Sequence, residues 1–226
     1  MTEPVDREHH DRERERFLAE AQAEPAPTRD RMRARNAILI VSAVVVPFVG
    51  WVEAGGMRLG SRPLWFVIGT ALGWALVAAW ALWAALGRQG SMLGPSRRWL
   101  RNIVIAVPVA AFAWMMIWDV MDPDRFAPWP GRWGEKCLKL TLGLGVWPLV
   151  ALILARRGSD PVHPGATGAA IGAAVGCATG VLLDLWCPIA DPSHVFFGHI
   201  LPLLLLSLAG VLLGRWLLDL RSRRSK

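Results

Sequence analysis

The stretch GATGAAIGAAVGCATGVLLDLW (165–186), continued by CPIADPSH (187–194) and VFFGHILPLLLLSLAGVLLGRWLL (195–218), decides the fold. It is two long apolar arms joined by a short polar bend. The first arm carries Gly168, Gly172, Gly176 and Gly180, one glycine in every fourth position, which stacks them on one face of a helix. In water such a helix is poor, because each glycine costs about 1 kcal/mol relative to alanine. In lipid the same face is useful, since a flat glycine surface lets a second helix approach closely and gain van der Waals contact. The second arm is almost wholly Leu, Phe, Val and Gly until Arg215. This hairpin reads as a bilayer structure, with its bend, and so Cys187, Asp191, His194 and nearby His199, at one membrane surface.

The totals agree with that reading. Of the 226 residues 54% are apolar and the mean hydropathy is +0.35, high for a soluble domain and ordinary for a small polytopic membrane protein. The 13 Trp, set against no Tyr, suit the headgroup level, where an apolar ring can keep its N–H wet. A net charge of +7 raises the question of nucleic acid, but the basic residues flank apolar runs, so the lipid bilayer is the expected partner and no direct nucleic-acid contact is expected. No cleavable signal peptide is read at the start, where Arg and Glu/Asp dominate.

Working outward, residues 1–35 form a polar tail with opposite charges at helical spacing, such as Glu8 with Arg12, and with Pro25 and Pro27 to end any helix. The tail reads either as a solvated segment or as a short helix that orders on a partner. Six apolar runs follow, near 36–52, 63–86, 102–120, 138–155, 165–186 and 195–218. Each approaches the roughly 20 residues that a bilayer core needs. The expected fold is therefore all-α: a six-transmembrane-helix bundle over residues 36–220, between the N-terminal tail and a basic tail at 221–226. Pro47, Pro108, Pro148 and Pro202 lie inside four runs, as kinks a membrane bundle tolerates.

The distribution of Arg sets the orientation. Arg29, Arg31, Arg33 and Arg35 precede the first run; Arg88, Arg97, Arg98 and Arg101 fill the second gap; Arg156 and Arg157 the fourth; Arg215, Arg221, Arg223, Arg224 and Lys226 close the chain. The third gap mixes Asp122, Asp124 and Glu135 with its basic residues, and the fifth has no basic residue. By the positive-inside rule both termini face the cytoplasm. Cys137 and Cys187 then stand at the outer ends of helices four and five, which a short inner loop makes antiparallel neighbours.

Two sulfurs on an oxidising face can form a disulfide or bind a soft metal ion. Cys137 and Cys187 are the candidate sensing pair, with His194 and His199 as candidate imidazole ligands, although Cys187, His194 and His199 follow no recognised zinc spacing. The plainer reading makes the histidines interfacial or capping groups and the cysteines two unrelated thiols. Cys177, about three turns inside the fifth run, reads as a small buried packing residue. Asp119 and Asp184, near outer helix ends, read as acceptors behind the site or as interfacial charges. No nucleophile elbow, HExxH, phosphate loop or dinucleotide fingerprint occurs, so no enzyme is expected.

From Cys137-Leu138 onward the chain resembles the NrsF-type bacterial membrane anti-sigma factors. The resemblance lies in Pro148-Leu149, the Arg156-Arg157-Gly158 turn, the glycine- and alanine-rich fifth run, Cys187-Pro188 with Asp191, and Phe196-Phe197; earlier, Leu59-Gly60-Ser61-Arg62-Pro63 resembles the family's Arg-Pro turn. Leu64 departs from the acid expected after that turn, and His194 and His199 replace small polar and aromatic residues. The resemblance implies an anti-sigma factor that holds an extracytoplasmic-function sigma factor through its cytoplasmic portion and releases it when the outer cysteines sense a metal or oxidant. The competing readings are a small transporter or channel, and a structural membrane protein with a plain periplasmic disulfide. The glycine face serves packing either within the bundle or between copies.

Overall fold

The computed structural model describes residues 15, 29–58, 63–86, 96–121, 134–157, 163–187, 189 and 191–218, the side chains of 66, 84, 86, 114–121 and 192 excepted. Its residues group into two units, Met1–Ala37 and Ile38–Lys226. Every element among them is helical: α1 (Arg29–Glu53), α2 (Leu64–Leu86), α3 (Arg97–Met121), α4 (Glu135–Arg156), α5 (Pro164–Trp186), α6 (Pro192–Val195), a π-helical turn (Phe196–Ile200) and α7 (Leu201–Leu218). α6, the π turn and α7 run on without a break, so the chain is all-α with six long helical units. Four of them are long and apolar enough to cross a membrane: Arg29–Glu53, Glu135–Arg156, Pro164–Trp186 and Ser193–Leu218; Val67–Trp83 is a shorter apolar stretch.

In the first unit, α1 opens at Arg29, ahead of the apolar run that starts at Asn36. Arg is a good helix former, and Asp30 sits in the first turn, where the helix dipole favours an acid. The rest of the expected tail, Glu15 apart, lies outside the described residues, as do the Arg-Pro turn at 59–62, the side chain of Asp119 and the basic tail at 221–226.

In the second unit α5 is the hub, packed by α2, α3, α4 and α7. Its residues 167–177 are all buried, with Thr179, Gly180 and Leu183 beyond them. Its small side chains permit this: Gly, Ala and Thr leave room for four neighbours, where a Leu-rich helix would hold them off. The closest approach is to α7. A Cβ on Gly168 would lie 2.0 Å from the carbonyl oxygen of Gly210, and one on Gly172 would lie 2.2 Å from that of Leu206. The contact is reciprocal, since a Cβ on Gly210 would lie 2.1 Å from the oxygen of Gly168. Gly176 meets Leu203 of α7, and Gly180 turns instead to the Trp74 ring of α2. Three of the four glycines thus pack within the bundle against a single partner helix. Cys177 is buried in the core.

The other helices enclose this pair. Pro47, Pro108 and Pro148 lie inside α1, α3 and α4. α1 touches α4 through Gly50 against Leu144 and through a hydrogen bond from Trp147 Nε1 to Ser42 Oγ at 3.3 Å. It buries only Ala43, Pro47 and Trp51. Its exposed Ile38, Val41, Val44 and Phe48 have the character of a lipid-facing surface.

The α5–α7 contact is testable. A methyl-bearing side chain at Gly168 or Gly172 collides with backbone, which cannot rotate away. Gly168→Val and Gly172→Val are each expected to destabilise the detergent-solubilised chain by at least about 3 kcal/mol, read as a lowered Tm. Gly143→Ala on α4, whose added Cβ meets nothing within 4 Å, is expected to leave Tm unchanged or higher.

Candidate metal and thiol site

At one end of the bundle α4 begins, α5 ends and α6 leads through the π turn into α7. Cys137 lies in the first turn of α4, held there by Thr141 Oγ1 donating to its carbonyl at 2.8 Å. Cys187 follows the last residue of α5, its N–H donating to the carbonyl of Leu183 at 2.7 Å. The two sulfurs are 3.5 Å apart, with the Cys137 thiol donating to Cys187. His194 Nε2 closes the triangle, 3.3 Å from the first sulfur and 3.2 Å from the second. His199 joins them, and the four potential ligand atoms all lie within 4.8 Å of one another. Fractional exposures of 2, 3, 7 and 9% for Cys137, Cys187, His194 and His199 place the cluster out of solvent. Leu183, Leu140, Trp186 and Ile189 pack around the sulfurs.

Local sequence explains each placement. Asp191-Pro192-Ser193-His194 is a helix start: Asp191 accepts from the His194 N–H at 2.9 Å and from the Ser193 hydroxyl, and Pro192 supplies a preset φ where no N–H is needed. This fixes His194 over the sulfurs. Five residues on, His199 sits in the π turn, where the Leu201 N–H reaches back to the carbonyl of Phe196. Pro202 gives a reason for the widening, because it has no N–H and its ring crowds the carbonyl four residues earlier, that of Gly198. In a regular α-helix residues five apart point about 140° away from each other. The wider π turn brings them round, and the two imidazole centroids are 5.8 Å apart.

Two glycines that the sequence reading passed over make the convergence sterically possible. Gly134 opens α4 with φ +75°, and a Cβ there would lie 2.7 Å from both the Gly198 nitrogen and the His194 carbonyl oxygen. A Cβ on Gly198 would lie 2.9 Å from Cys137 Cβ. Their only sequence signal is position, directly before an apolar run in one case and inside an aromatic-rich one in the other. The rim is tied down by the residues after α1: Arg58 N–H donates to Leu185 at 2.9 Å, its guanidinium lies 4.8 Å over the Trp186 ring, and Trp186 Nε1 donates to Ala54 at 2.9 Å. Asp184, three residues before Cys187, accepts a hydrogen bond from Thr70 of α2.

The electrostatics distinguish the two thiols. The hydrogen bond from Cys137, with the nearby His194 and His199 rings, holds the Cys187 thiol well below its ordinary range in spite of burial. Cys187 is therefore the more acidic of the two thiols. His199 Nε2 is buried and has no hydrogen-bond partner. The donor set, two sulfurs and two imidazoles, suits a soft or borderline metal ion, and the sulfur separation equally permits oxidation to a disulfide.

The Ser193 hydroxyl and the His194 N–H lower the Asp191 pKa from its ordinary 3.8. A depressed carboxyl contributes stability in full above that ordinary value and loses it as the pH falls through the lower folded value. Asp191→Ala is expected to cost about 1 kcal/mol at neutral pH, seen as faster exchange of the Val195 amide, and the difference from the parent chain is expected to vanish in acid below the folded pKa.

The chain also has relatives. A family model described as negative regulator of sigma F, NrsF, matches residues 18–219. A protein named anti-sigma-F factor NrsF, from Caulobacter vibrioides (strain NA1000 / CB15N), is 33% identical over 205 residues, covering 86% of this chain and 91% of the relative. No solved structure matches.

Proposed function

The chain belongs to the NrsF family, and from that premise we propose that it is an inner-membrane anti-sigma factor whose rim cysteines receive the signal. The relative's name and the family description support negative regulation of a sigma factor, which is a regulatory and non-enzymatic role. The cytoplasmic portion, including the arginine-rich start of α1, holds an extracytoplasmic-function sigma factor away from RNA polymerase. The six long helical units anchor that portion with both termini in the cytoplasm. Arg156 ends α4 and Arg215 lies near the end of α7, against Gly165 at the start of α5; this supports the orientation, because it is the end of the bundle opposite the sulfurs.

The observation that carries the sensing reading is the sulfur pair itself: Cys137 and Cys187, fifty positions apart, stand 3.5 Å from each other. Two inputs act on such a pair. A metal ion displaces the thiol protons and takes the sulfurs as ligands. An oxidant removes two electrons while two protons leave, and one S–S bond forms. Either input binds the outer ends of α4 and α5 together more tightly than the free thiols do. A signal that favours one arrangement by about 1.4 kcal/mol shifts the sigma-bound and sigma-free populations tenfold.

The test is a sigma-dependent reporter in cells carrying the full-length chain, treated with a soft divalent metal salt or with peroxide. The parent chain is expected to give about tenfold induction, and Cys137→Ser, Cys187→Ser and the double variant are expected to lose it. Equal induction in the double variant and the parent under both treatments would falsify the sensing role.

A further inference from the structure

We propose that Cys137, Cys187, His194 and His199 form a four-coordinate site for one divalent ion of the zinc class, with His199 the ligand that separates it from a bare dithiol. The inference deepens the sensing reading above, on which its regulatory meaning rests, by naming the ligand set and the class of ion.

Distances give the first reason. Zinc–sulfur bonds of about 2.3 Å in a tetrahedron place two sulfurs about 3.8 Å apart, and a sulfur and an imidazole nitrogen about 3.6 Å apart. The sulfurs here are 3.5 Å apart and His194 Nε2 is 3.3 and 3.2 Å from them. These three atoms are drawn in by a few tenths of an ångström, and His199, whose ligand atom lies within 4.8 Å of the others, closes on the ion by side-chain rotation. Sulfurs joined in a disulfide would lie at about 2.05 Å, much further from the observed separation.

The second reason is His199. It is 9% exposed, its Nε2 has no hydrogen-bond partner, and that ring belongs to the same knot of ligand atoms. A buried imidazole nitrogen without a partner is costly. The backbone at this point departs from the α-helix, and the departure turns His199 toward His194. Pro202 opens the helix at this point, and the opening is what brings the His199 ring to the cluster.

The third reason is charge. The cluster is 2–9% exposed, so an uncompensated charge there is strongly disfavoured. Two thiolates and two neutral imidazoles around a divalent ion sum to zero. The same ligands around a monovalent ion leave one negative charge, and around a trivalent ion one positive charge. The site is therefore matched to zinc and cadmium by charge and by softness, and it excludes magnesium and calcium, which need oxygen ligands.

The probe is Co²⁺, titrated into the reduced full-length chain in detergent micelles, followed by displacement with Zn²⁺ or Cd²⁺. One Co²⁺ per chain is expected, with the intense visible d–d bands of a tetrahedral complex and a thiolate-to-cobalt charge-transfer band that Cys137→Ser weakens to about half and the Cys137→Ser/Cys187→Ser double variant removes. His199→Ala and His199→Gln are expected to weaken binding at least about tenfold and to move the d–d bands, with helical circular dichroism and Tm checked for each. X-ray absorption at the zinc edge of the loaded parent chain tests the same claim without any variant, by counting two sulfur and two imidazole neighbours. A shell of sulfur alone, an oxygen-rich octahedral shell, no uptake, or unchanged affinity and spectrum in both His199 variants overturns the proposal. The reporter separates the two readings. A tetrahedral metal shell with a reporter indifferent to both cysteines keeps this site and removes its sensing role. A cysteine-dependent reporter with no metal shell removes the site and leaves an oxidant as the input.

Discussion

The contact between the backbones of α5 and α7 sets the rest of the structure. At Gly168 there is no room for even a methyl group, since the carbonyl of Gly210 occupies its place, and at Gly172 the carbonyl of Leu206 does the same. Contact of this kind has one register, because sliding either helix by a residue would drive a side chain into the other's main chain. The register decides which residues of the two helices share an end. Cys187, leaving α5, and His194 and His199, entering α7, arrive at the same rim, and α4 adds Cys137 from the side. The site's geometry is therefore set by a rigid pair built further down the bundle.

The irregular backbone of the chain is concentrated at that rim. Gly134 takes a left-handed φ, Gly198 lets α4 approach, and the helix opens into a π turn over 196–200. Gly134 and Gly198 leave room for close approach between α4 and the π turn. Together they allow two cysteines and two histidines from three parts of the sequence to converge. Departures from regular structure gathered at one polar cluster mark where a chain gives up stability for a site.

Much of this was legible in the sequence. Four-residue glycine spacing announced a close helix pair, and the partner proved to be the next helix of the same chain. Apolar length located the helices to within a few residues, except at α1, where helical arginines carry the helix back to Arg29 ahead of the apolar run. Antiparallel neighbours with cysteines at matching ends allowed Cys137 and Cys187 to approach or to stay two unrelated thiols, and the sulfurs stand 3.5 Å apart. The histidines were harder. Residues 194 and 199 stand on different faces of an α-helix, so their spacing argued against a shared ion, and only the π turn before Pro202 brings the rings together. Gly134 and Gly198 carried no periodic signal, because what they accommodate is a helix distant in sequence.

The same packing also determines where a change at the rim would be felt. α5 and α7 meet carbonyl to glycine, and a main-chain carbonyl cannot yield without breaking its helix. α4 meets α7 differently, with Gly145 against the end of the Leu206 side chain, which can rotate. Midway along the bundle the joint between α4 and the α5–α7 pair is therefore the softer one, whereas at the rim Gly134, at the start of α4, meets the backbone of His194 and Gly198 directly. Of the four clustered side chains, three belong to the rigid pair and its connection, and only Cys137 belongs to α4. A bond drawn through the sulfurs, whether to an ion or to each other, would join α4 to that pair at the rim. α4 runs from Cys137 at the rim to Arg156 at the opposite end, so the two ends of the bundle share one continuous helix.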